Sequence, residues 1–81
     1  MIFSDAVARK LREKHDMTED DVREAVSFGH HDSAGMDDDP DYGERLVITG
    51  RTYAGRPLIA YLAATESDPG TWECRTAWWL D

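Results

Sequence analysis

The chain has 81 residues, a formal net charge of −8 and one cysteine, Cys74. That length supports one domain with a single modest core and leaves little room for a separate cofactor pocket, so no cofactor is implied. A lone cysteine excludes an intramolecular disulfide and a cysteine-based zinc site within one chain, which favours a cytoplasmic location.

No apolar run approaches the length needed to span a bilayer, and Met1-Ile2-Phe3-Ser4-Asp5 lacks the basic-then-apolar plan of a signal peptide. No membrane partner is expected. The acidity argues against a phosphate-rich partner, because nucleic-acid binding is driven by Lys and Arg displacing counterions. Its distribution weakens that objection: residues 1–42 hold 12 acids against 5 Lys and Arg, a balance of −7, whereas residues 43–81 carry only −1. Within the acidic half, Arg9-Lys10-Leu11-Arg12-Glu13-Lys14-His15 is a compact basic stretch.

Ser4 suits a helix N-cap, and Phe3, Val7 and Leu11 recur at four-residue spacing, which predicts an amphipathic helix ending near His15. Thr18 followed by Glu19, Asp20 and Asp21 places a cap and three acids at the positive end of a second helix, with Asp21 at the capping-box position. Val22, Ala25 and Val26 form its apolar face, and Gly29 suits its end. From His30 to Tyr42 the residues are mostly Asp, Ser, Gly and Pro, which reads as a flexible acidic loop over 30–42. Arg45 to Leu62 reads as two strands joined by a turn bearing Gly50 and Gly55. In the first strand Leu46 and Ile48 share one face, and Val47, Thr49 and Arg51 share the other. The next strand, Leu58 to Thr65, is apolar on both faces and so central. Glu66-Ser67-Asp68-Pro69-Gly70 is a turn signal, and a third strand follows from Thr71 to Leu80. The expected architecture is a single α+β domain over 1–81, with two N-terminal helices packed on an antiparallel sheet of three or more strands.

Arg51, Arg56 and Arg75 lie in or beside strands rather than in a surface charge run. Guanidinium groups meeting on an open sheet face would suit phosphate, through paired hydrogen bonds and a permanent charge. The competing account pairs each with Glu44, Glu66 or Glu73 across strands. His15 has a side chain able to move protons near neutrality, but a helix-terminal His also suits the helix C-terminal carbonyls. His30, His31, Asp32, Asp37, Asp38, Asp39 and Asp41 include the ligand types of zinc, nickel and manganese; their spacing matches no closed metal site, and a solvated acidic loop accounts for them better. Trp72, Trp78, Trp79, Tyr53 and Tyr61 could stack bases or fill the core. Trp78 and Trp79 alternate faces, so one of them should be exposed.

The order of these elements, with Lys14-His15 closing the first helix, Thr18 to Ala25 the second, then Gly50-Arg51-Thr52-Tyr53-Ala54-Gly55-Arg56-Pro57-Leu58 and Arg75-Thr76-Ala77, resembles the BrnT-type toxins and related small proteins of the RelE/ParE-like superfamily. The resemblance covers roughly residues 3–77. It implies a translation-inhibiting, metal-independent ribonuclease, a cognate antitoxin and RNA as partners, and self-association as a further candidate. On that reading Lys14 or His15 handles protons, Arg51 and Arg75 hold the phosphate, and Arg56 and Tyr53 position the substrate. Toxins of that kind are basic, whereas this chain is acidic; the alternative is a non-catalytic protein-interaction module, an inactive relative on the same fold.

Overall fold

The Ser4 side chain accepts a hydrogen bond from the Val7 N–H at 3.1 Å and so caps α1 (Asp5–His15) in the computed structural model, which describes residues 1–27, 29–41, 43–65 and 70–81. Asp16 ends that helix in the left-handed region, at φ 50°, where its N–H donates to the Leu11 carbonyl. A capping box opens α2 (Glu19–Val26): the Thr18 hydroxyl accepts from the Asp21 N–H at 3.1 Å, and the Asp21 carboxylate accepts from the Thr18 N–H at 3.0 Å. Four strands follow, β1 (His31–Asp39), β2 (Gly43–Arg51), β3 (Pro57–Ala64) and β4 (Trp72–Trp79), in an antiparallel sheet of order β1-β2-β3-β4.

Strand alternation divides the sheet into two faces. Ile48, Ala60 and Ala77 lie in one row across β2, β3 and β4, and with Leu58, Leu62 and Cys74 they pack against Leu11, Met17, Val22 and Ala25 from the helical side. Helix α2 lies against β2 and β3, while α1 lies against β4. Between these layers Gly50 is buried, and a Cβ built on it would collide with the backbone carbonyl of Ala25. Only glycine permits so close an approach of helix to strand.

The expected architecture needs correction at the edge of the sheet. The segment read as a flexible loop over 30–42 contains β1, a fourth strand at the sheet edge, paired with β2 from His31↔Gly50 to Asp39↔Gly43. Its residues are almost all exposed, so it carries none of the apolar alternation by which a strand is recognised. It is held instead by the backbone ladder, by a 2.6 Å hydrogen bond between the Ser33 and Thr49 hydroxyls, and by Arg45 reaching Asp37. The two helices divide the sheet between them, α2 over β2 and β3 and α1 against β4. Ahead of α1, Ile2 forms a parallel bridge to Glu73 beside β4. The turn expected at 66–70 lies, apart from Gly70, outside the described residues. Among the described residues, no helix is long and apolar enough to cross a membrane.

Replacing Gly50 by alanine must push α2 off the sheet. We expect G50A to lower stability by roughly 1–3 kcal/mol or more, at the level of an overpacked core, read as a lower urea midpoint with an unchanged slope. An unchanged midpoint would show that the contact has room to spare.

Candidate functional site

Three of the strand and turn arginines expected to bind phosphate are each met by a carboxylate. Arg51 Nε lies 3.6 Å from Asp32 Oδ2, and its Nη1 donates to the Gly55 carbonyl at 3.3 Å. Arg56 Nε donates to Asp81 at 2.9 Å, with its guanidinium stacked over the Trp79 ring at 3.8 Å. Arg75 Nη1 lies 3.3 Å from Glu73 Oε1. These pairs are largely exposed, so each is worth little in stability, but each occupies part of a guanidinium fork.

Nor do the expected catalytic groups face one point. Arg51 pairs with Pro57 and Arg75 lies beside the Tyr61–Leu62 step, which separates them by about 15 Å along the strands at roughly 3.3 Å per residue. His15 lies at the end of α1, where its carbonyl accepts a 2.7 Å hydrogen bond from Trp79 Nε1. Trp79 packs toward the helices while Arg51 follows Val47 and Thr49 on the open face, so the sheet stands between His15 and Arg51. Lys14 is exposed beside His15. Tyr53 projects from the β2–β3 turn at 69 % exposure; its N–H donates to Glu24 Oε1 at 2.8 Å and its ring lies 4.9 Å from that of His30. Among the described residues, no group of three or more His, Cys, Asp or Glu is arranged to hold a metal ion.

A different set of cations does come together. The β3–β4 register slips between Tyr61 and Leu62, which pair with Thr76 and Cys74, so Arg75 is the extra residue of a β-bulge. The bulge brings Arg75 and Thr76 side by side to a pocket of about 370 Å³, lined also by Arg45, Ala63, Val7 and Lys10. Lys10 Nζ donates to Thr76 Oγ1 at 3.3 Å. Arg45 lies over the Tyr61 ring at 4.6 Å and is held by Asp37 at 2.7 Å and Asp39 at 3.3 Å. The Asp37 hydrogen bond raises its already high pKa, and burial acts against that only in part. Beyond Tyr61, the Trp78 ring stacks on it at 5.1 Å and 29°. Arg45 was open to discovery from its pattern, because it shares the alternation of Val47, Thr49 and Arg51. Lys10 was not, since nothing in a helix's own spacing tells which strand it will meet.

Cys74 lies directly behind this pocket, fully buried. Burial foremost, then the charge of Glu73, pushes its thiol from its ordinary 9.0 up to about 11, with Lys10 and a backbone hydrogen bond at Thr76 pulling the other way. The native thiol should therefore resist iodoacetamide at pH 8 and react fully only in denaturant. Because the unfolded chain loses this proton first, stability should fall as pH rises from about 9 toward 11, and the C74A variant should lose that part of the slope. Rapid native labelling would contradict the burial.

Comparison of the chain with protein-family models, with curated proteins and with solved structures finds no match in any of the three.

Proposed function

We propose that the chain is a non-catalytic protein-interaction module, an inactive relative of the RelE/ParE-like toxins that docks a basic protein segment on the uncovered face of its sheet. The observation that carries this reading is the pairing of Arg51, Arg56 and Arg75 with carboxylates of the chain itself, which leaves the expected nuclease groups apart and partly neutralised. That same face carries Val47, Ile59, Tyr61 and Trp78, with Trp78 38 % exposed. Exposed tryptophan and tyrosine backed by a rigid sheet are the residue types that anchor protein contacts. The partner's basic residues would meet Asp32, Asp37, Asp38 and Asp39 along the adjoining β1 edge rather than the arginines, in a chain that carries −8. A stoichiometric basic protein recovered with the tagged chain should survive Arg51→Ala combined with Arg75→Ala, and should be lost, by about tenfold or more in affinity, with Trp78→Glu. Recovery of RNA alone would overturn this reading.

One observation favours a second reading, a metal-independent endoribonuclease: Lys10, Arg45 and Arg75 gather beside the Tyr61–Trp78 stack, which joins phosphate-binding groups to a platform for bases. Attack of a ribose 2′-OH would then need a base at that pocket, and His15 lies further along α1. Purified protein at low salt with EDTA should leave RNA intact, and overexpression should not slow growth. Cleavage abolished by Arg75→Ala would reverse the order of the two readings.

A further inference from the structure

We infer that the pocket at the β4 bulge is a binding site for a phosphate group carried by a small molecule. This rests on the pocket lining and on neither functional reading above. Cations arrive from three elements: Lys10 from α1, Arg45 from β2 and Arg75 from β4, with the Thr76 hydroxyl between them and no carboxylate in the lining. The groove between the two helices makes the contrast, because there Arg9 and Arg12 share the lining with Asp5, Glu19 and Asp20, so the carboxylates outnumber the cations.

The carboxylates that touch the pocket's arginines hold them from outside. Asp37 and Asp39 take one Nη of Arg45, and Glu73 takes one Nη of Arg75. A guanidinium has five N–H donors, so such a pair orients the group without exhausting it. Among the described residues Lys10 has no carboxylate within ion-pair distance, and its contact is with Thr76 alone. Donors converging from three directions suit a tetrahedral oxyanion better than a planar carboxylate, which a single guanidinium fork satisfies. At about 370 Å³ the pocket exceeds what a bare phosphate fills, and Val7 and Ala63 offer apolar wall for the carrier.

Inorganic phosphate titrated into the full chain, followed by amide and Trp78 indole NMR shifts, should give saturable changes centred on residues 75, 76 and 10, with a dissociation constant of about 1–10 mM. Sodium chloride at matched ionic strength should not reproduce them. Lys10→Met and Arg75→Gln, each checked for a native spectrum, should weaken binding about fivefold or more, and Glu73→Gln, which frees Arg75, should tighten it about threefold. Glycerol phosphate binding more tightly than inorganic phosphate would support the small-molecule carrier. Shifts that fail to saturate, that chloride copies, or that all three variants leave unchanged would overturn the site.

Discussion

Contact between the Ala25 carbonyl and the Cα of Gly50 sets how near α2 stands to the sheet. Across the sheet Gly50 pairs with Leu58, and the neighbouring row of Ile48, Ala60 and Ala77 carries two fully buried alanines. Larger side chains fill the ends of the core instead, with Leu58 and Leu62 on β3 and Met17 between the helices. With α2 over β2 and β3, α1 is left to flank β4. It runs beside that strand in the same direction, as shown by Ile2 against Glu73, Lys10 against Thr76 and His15 against Trp79.

The parts legible in the sequence were those decided by neighbours along the chain. Both helix starts could be read because a cap needs only Ser4, or Thr18 with Asp21, and the backbone three residues on. The faces of β2 followed from alternation alone, and so did the contrast between the partly exposed Trp78 and the packed Trp79. What could not be read depended on pairing across distance. β1 is a strand because β2 offers it a ladder, and its sequence of His, Asp, Ser and Gly has no strand preference of its own. The bulge at Arg75 likewise appears only when β3 is laid beside β4.

Electrostatics show the same division between local and distant information. Of the arginines that suggested a phosphate site, Arg51 and Arg75 lie in strands and Arg56 just before one, but the carboxylates that meet Arg51 and Arg56 come from Asp32 and Asp81, far along the chain. Spacing cannot reveal Asp81 meeting Arg56, or Trp79 supporting it from below. A chain with 17 acids and 9 Lys and Arg has carboxylates to spare for every guanidinium. Cation clusters in it therefore have to be located in space.

The two borders of the sheet are guarded in different ways. Along β4, the Ile2 N–H and carbonyl bond to the backbone of Trp72 and Cys74, which occupies hydrogen-bonding groups that another chain could otherwise use. Along β1, protection is a matter of charge, because Asp32, Asp37, Asp38 and Asp39 stand on the outermost strand. Two such borders approaching one another bring carboxylates together faster than they form backbone bonds. A segment that looks like mere solvent-facing filler thereby defends an incomplete sheet against growing into a fibre.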